Sequence, residues 1–300
     1  MDAFPDEVTV FEVGPRDGLQ NQKKTLSVKT RIQFIDKLSA AGFKYIEAGS
    51  FVSSEKVPQM ANTDQVLTGI NRHRNCAYPV LTPNLQGLEN ALNAGATHIA
   101  IFGSASEQFC RKNINCSVAE SMVRFRDILQ AAKQHQLIVR AYLSCVMGCP
   151  YEGEVAANKT ASLAEQLLTM GCYEISLGDT IGIGTPGQVT KLLRAVKAVL
   201  PVNKIAVHFH DTYGQALANI YTALMSGVAV IDASVAGLGG CPYAPGASGN
   251  IATEDIVYML NGLGITTKID LNTLLEASYF ICRELNCSNQ SKVAVARQSL

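Results

Sequence analysis

Four segments of this chain repeat one pattern: Ala41-Gly-Phe-Lys-Tyr-Ile46, Ala94-Gly-Ala-Thr-His-Ile99, Met170-Gly-Cys-Tyr-Glu-Ile175 and Ser226-Gly-Val-Ala-Val-Ile231, each with Gly four residues before Ile. Upstream of the first and third the apolar spacing is helical, as in Val28, Ile32, Ile35 and Leu38 after Ser27, and in Leu163, Leu167 and Leu168. Gly42, Gly95, Gly171 and Gly227 fit as left-handed helix ends, where the missing Cβ removes a clash, and a short β-rich run follows each. With the other apolar runs the strands number eight, starting near Val8, Tyr45, Ala77, His98, Ile138, Glu174, Ile205 and Val230. Their spacing averages about 32 residues, enough for one strand and one crossover helix. The expected architecture is α/β: a single (β/α)8 TIM barrel over about 8–250, then helices over about 251–300 packed outside it. Residues 1–300 are expected to form one catalytic domain. A doubly wound sheet is the other reading, but the first βα turn, Gly14 to Gly18, is not a G-x-G-x-x-G phosphate cradle.

Charge and hydropathy exclude several partners. The chain has 25 basic and 25 acidic residues and no basic stripe, which argues against nucleic acid. Its most apolar stretch, Val228 to Val235, is broken by Asp232, so no membrane span is expected. Neither terminus reads as a targeting signal, and a cytoplasmic address is the default expectation. Nine cysteines without a regular framework read as reduced thiols, and Cys145 and Cys149, four apart and without a second pair, do not match a structural zinc site.

In such a barrel the chemistry sits at the C-terminal ends of the strands. Strand 1 ends in Arg16-Asp17, strand 2 carries Glu47, strand 6 runs into Asp179-Thr180, strand 7 ends His208-Phe-His-Asp211, and strand 8 leads to Asn250. His208 and His210 are two apart on a strand, so both imidazoles face the interior. With Asp17, Asp211 and Asn250 expected at the same rim, they form a mixed N/O set without thiolate. That set suits a six-coordinate divalent cation, Mg²⁺ or Mn²⁺, and equally describes an Fe(II) facial triad. Arg16 is either half of an Arg–Asp surface pair or a rigid fork aimed at an oxygen that gains negative charge. Glu47 and Asp179 either orient Arg16 and bound water or satisfy backbone groups. The segment Gly237 to Asn250 holds five glycines and two prolines, the composition of a mobile or tightly turned loop, and it carries one thiol, Cys241.

Six motifs extend this reading: Glu12-Val-Gly-Pro-Arg-Asp-Gly-Leu-Gln-Asn21, Tyr78-Pro-Val-Leu-Thr-Pro-Asn84, Gly148-Cys-Pro-Tyr-Glu-Gly153, Glu174-Ile-Ser-Leu-Gly-Asp-Thr180, His208-Phe-His-Asp-Thr-Tyr-Gly-Gln215 and Val235-Ala-Gly-Leu-Gly-Gly-Cys-Pro-Tyr-Ala244. In their order and spacing the chain resembles the 3-hydroxy-3-methylglutaryl-CoA lyases. The resemblance implies cleavage of that acyl-CoA substrate to acetyl-CoA and acetoacetate, in leucine degradation or ketone-body metabolism. It implies Asp17, His208, His210 and Asn250 as metal ligands, Arg16 as the polarising arginine, Cys241 as the loop thiol, Glu47 and Asp179 as supporting residues, and Asn84 and Thr180 as substrate contacts. Phe209 stands where relatives often have Cys, and no Cys lies three residues from the C-terminus. A homo-oligomer, most simply a dimer, is expected. A condensing synthase of the same superfamily, an Fe(II) oxygenase and a non-catalytic barrel are the alternatives.

Overall fold

The computed structural model describes residues 4–240 and 249–298. Strands β1 (Thr9–Glu12), β2 (Tyr45–Ile46 and Gly49–Ser50), β3 (Val80–Leu81), β4 (His98–Ser104), β5 (Ile138–Ser144), β6 (Glu174–Asp179), β7 (Ile205–Phe209) and β8 (Val230–Ala233) pair in parallel throughout. The first half of β2 pairs with β1 and the second half with β3, so the order β2-β1-β8-β7-β6-β5-β4-β3-β2 returns to its start. The sheet is therefore a closed barrel, which leaves no edge strand. The break in β2 falls at Glu47–Ala48, where Glu47 N donates to Glu12 O (2.8 Å) and Ala48 N to Pro79 O (2.9 Å).

Helices α1 (Val28–Ala40), α2 (Thr63–Gly69), α3 (Leu85–Asn93), α4 (Glu107–Ile114), α5 (Val118–Gln134), α6 (Ala157–Thr169), α7 (Pro186–Lys197) and α8 (Ala216–Met225) lie between successive strands. Local chemistry starts several of them. The Ser27 side chain accepts from Thr30 N to cap α1, and Ser117 forms a reciprocal capping box with Glu120 at α5. The four repeat glycines have φ between +72° and +115°. At Gly42 a Cβ would also sit 2.5 Å from Lys268 O. After β8 come α9 (Thr253–Gly262), α10 (Leu271–Leu285) and α11 (Lys292–Arg297). Helix α10 packs on α1, and Asp255 of α9 holds the start of α11 by accepting from Ser291 Oγ (2.7 Å) and Val293 N (2.9 Å). Among the described residues no helix is long and apolar enough to cross a membrane.

Candidate active site

Just after β1 the chain makes a wide turn over Gly14–Gly18, in which Gly18 N donates back to Val13 O. This turn aims Arg16 and Asp17 across the barrel mouth. Asp17, His208 and His210 each offer a ligand atom within 4.8 Å of the others. His208 Nε2 lies 3.3 Å from His210 Nε2 and 3.9 Å from Asp17 Oδ2. Two nitrogens at that separation can each sit about 2.1 Å from one ion at an angle of roughly 100°. Among the described residues His210 Nδ1 is buried without a hydrogen-bond partner. Burial, helped by His208, pushes the His210 imidazole down to about 4, so it is neutral and has a lone pair to give. Burial also pushes the Asp17 carboxyl up, but Arg16 beside it and the two imidazoles bring it down to about 2. Two imidazoles whose Nε2 atoms face each other and an ionised carboxylate fit a divalent cation.

Arg16 is fixed by two carboxylates. Its Nε donates to Glu47 Oε2 (2.7 Å) and its Nη1 to Asp17 Oδ1 (2.6 Å). Its guanidinium lies 5.1 Å from the centre of the Tyr142 ring. Burial works against the charge, yet Glu47 and Asp17 hold the guanidinium more firmly protonated than a free arginine. Among the described residues Nη2 has no hydrogen-bond partner. The surface-pair reading of Arg16 therefore fails: the side chain is 5% exposed, and one nitrogen remains to donate.

Glu47 thus orients Arg16; Asp179 accepts from Gly184 N through Oδ2 (2.8 Å), while its Oδ1 is buried without a partner among the described residues. Its carboxyl, pushed by burial to about 6, makes no hydrogen bond to Arg16 or the triad among the described residues. Asn250 reaches the site by its amide nitrogen: Nδ2 donates to Asp17 Oδ2 (2.8 Å) and Leu238 O (3.0 Å). An NH₂ group has no lone pair for a metal, so in this arrangement Asn250 is a partner of Asp17 and would become a ligand only by turning its carbonyl oxygen inward. Asp211, expected at the rim beside the ligands, instead caps α8, its Oδ1 accepting from Ala216 N (3.0 Å). Asn84 is exposed and caps α3 through Gly87 N (2.8 Å), and Thr180 Oγ1 accepts from Cys145 N (2.9 Å). The hydroxyl and amide expected to touch substrate are thus engaged with backbone. Phe209, between the two histidines, is buried in the apolar core. Cys241 lies outside the described residues.

Sequence reasoning missed a layer of buried charge beneath the triad. Arg140 donates from Nε to Glu174 (2.7 Å) and from both terminal nitrogens to Asp232 (2.7 and 2.9 Å). Ser176 Oγ donates to Asp232 Oδ2 (2.7 Å), which also faces His208 Nδ1 (3.2 Å). Barrel interiors are usually filled by Val, Ile and Leu. A lone Asp in the apolar run Val228 to Val235, and a lone Arg in Leu137 to Leu143, were the available signals.

The family model described as HMGL-like matches residues 7–281. A Gallus gallus protein named hydroxymethylglutaryl-CoA lyase, mitochondrial, is 58% identical over 98% of this chain and 99% of its own length. Its name carries a mitochondrial address, while a Rattus norvegicus relative, 54% identical over 99% of this chain and 86% of its own length, is named 3-hydroxy-3-methylglutaryl-CoA lyase, cytoplasmic. The crystal structure of hydroxymethylglutaryl-CoA lyase from Pseudomonas aeruginosa superposes with a TM-score of 0.97 at 53% identity, covering 99% of both chains. An Acinetobacter baumannii HMG-CoA lyase in complex with coenzyme A and 3-methylmalate superposes with a TM-score of 0.94 at 38% identity, over 99% of this chain and 97% of that one. With a family model spanning most of its length and relatives more than half identical end to end, this chain belongs to the HMGL-like family.

Proposed function

We propose that this protein cleaves 3-hydroxy-3-methylglutaryl-CoA to acetyl-CoA and acetoacetate, with Mg²⁺ or Mn²⁺ held by Asp17, His208 and His210, and that residues 1–300 act as one catalytic domain. The observation that carries the reading is Arg16, locked by Glu47 and Asp17 beside a His₂–Asp cluster, in a chain matched over nearly its whole length by proteins named for this reaction. The relative described with bound coenzyme A supports an acyl-CoA substrate.

Cleavage of C2–C3 removes the proton of the tertiary hydroxyl, turns C3–O into a carbonyl and leaves the bond electrons on C2 as a thioester enolate, which is then protonated. A divalent cation bound at the triad supplies Lewis acidity toward substrate oxygens. Arg16 donates from Nη2 to the oxygen on which the enolate charge grows, a preorganised donor that needs no rearrangement during reaction. Glu47 keeps that fork in place. Asn250 holds Asp17 and completes the ligand set if its amide turns. We assign delivery of a proton to C2 to Cys241, on the glycine-rich segment that ends at Asn250. Incubation with the acyl-CoA should release acetoacetate and acetyl-CoA in equal amounts. Failure to form either from this substrate, with both formed by a related lyase in parallel, would refute the assignment.

A further inference from the structure

We propose that Asp232 is a positioning residue that fixes the tautomer of His208 and so presents the Nε2 lone pair to the cation; this rests on the metal site proposed above. Asp232 lies on β8 beside His208 of β7, the two being partners in the strand register. Both oxygens of its carboxylate act as acceptors. Oδ1 accepts from Arg140 Nη2 (2.7 Å), and Oδ2 accepts from Arg140 Nη1 (2.9 Å) and Ser176 Oγ (2.7 Å). Arg140 is itself held by Glu174 (2.7 Å) and by the Phe11 ring, 4.1 Å from its guanidinium carbon. A carboxylate paired bidentately with a buried guanidinium is an acceptor only. The proton in the 3.2 Å contact between His208 Nδ1 and Asp232 Oδ2 therefore belongs to the histidine. With Nδ1 protonated, a neutral His208 carries its lone pair on Nε2, the atom that faces His210 and Asp17. A carboxylate that accepts from the far nitrogen of a metal-binding imidazole sets ring orientation and ligand basicity. Among the described residues His210 has no such support: its Nδ1 is buried without a partner. The two imidazoles are thus unequal, one fixed from behind and the other held only in front.

The test uses the whole chain stripped of metal. In ¹⁵N-histidine spectra, with the His208 signals identified by their absence from His208→Gln, Nδ1 of His208 should carry the proton. An Nε2-protonated His208 would overturn the proposal, and this result needs no variant at Asp232. Asp232→Asn, which keeps the shape, should move the proton and weaken Mn²⁺ binding, followed by EPR, by about 10- to 100-fold. Because Asn leaves Arg140 with one buried carboxylate partner, the variant is compared only after its circular dichroism matches that of the parent. A folded Asp232→Asn protein that binds Mn²⁺ as tightly as the parent would show that Asp232 merely balances Arg140, and the proposal would fail. If the unaltered protein binds no Mn²⁺ at all, the metal reading falls, and the ¹⁵N spectrum still decides the role of Asp232.

Discussion

Arg16 illustrates how much a residue's chemistry depends on what holds it. Glu47 and Asp17 take two of its nitrogens, and the planar fork leaves Nη2 aimed from a fixed frame. A lysine would keep the charge but could not bridge both carboxylates and still donate along the same line. Arg16→Lys should therefore lower kcat on the order of 10²-fold or more with little change in KM, the pattern of a contact made only in the transition state. A raised KM at normal kcat would assign Arg16 to ground-state binding. For Cys241 the corresponding test is Cys241→Ala, with kcat depressed and Mn²⁺ affinity intact, and Cys241→Ser recovering little because a hydroxyl exchanges protons poorly near neutral pH. Near-normal turnover in Cys241→Ala would return the proton roles to His208 and Asp17. At this scale Arg16, Asp17, His208 and His210 were legible because strand-end position and period-two spacing dictate where they point. Asn84, Thr180 and Asp211 each accept from a backbone amide, a task that a short polar side chain at a strand end performs as readily as substrate contact, and sequence alone does not separate the two.

The elements around the glycine-rich segment meet at two buried acids. Glu12, at the end of β1, accepts from Gly14 N (2.8 Å), Val235 N (3.0 Å) and Thr253 Oγ1 (2.7 Å), while Glu254 of α9 accepts from Ala236 N (3.0 Å). Residues on both sides of 237–250 are therefore tied together. Burial pushes Glu12 up to about 8 and Glu254 to about 7, from an ordinary value of 4.5. The native state keeps protons that the unfolded chain surrenders above that ordinary value, so stability is greatest at low pH within this window and declines as pH rises toward 8. Glu12→Gln, which can donate to Thr253 and accept from the two amides, should flatten the fall of Tm between pH 5 and 8. An unchanged slope would mean that Glu12 is ionised in the native state. The αβ units themselves were readable from the glycine stops, since a helix end needing positive φ leaves few residue choices. The break in β2 and the late start of β3 were not readable. They arise from backbone pairing across strands, which local apolar patterns do not encode.

At the scale of the whole molecule the barrel divides into an apolar outer layer and an interior whose central charges run from Glu174 through Arg140 and Asp232 to His208. Breaking a buried pair of this sort strands a charge and costs about 3–5 kcal/mol, so Arg140→Met alone should lower Tm sharply in thermal unfolding. A Tm within a degree or two of the parent would mean that water reaches the stranded carboxylates. We expect a homodimer, which light scattering would register as twice the 32.1 kDa chain mass. The central claim, that a cation at Asp17, His208 and His210 drives acyl-CoA cleavage, is tested most directly by acetoacetate release from 3-hydroxy-3-methylglutaryl-CoA in chelator, before and after Mg²⁺ or Mn²⁺ is restored. Release should fall to background in chelator and return with either ion; release that persists at full rate in protein shown to be metal-free would contradict the metal assignment.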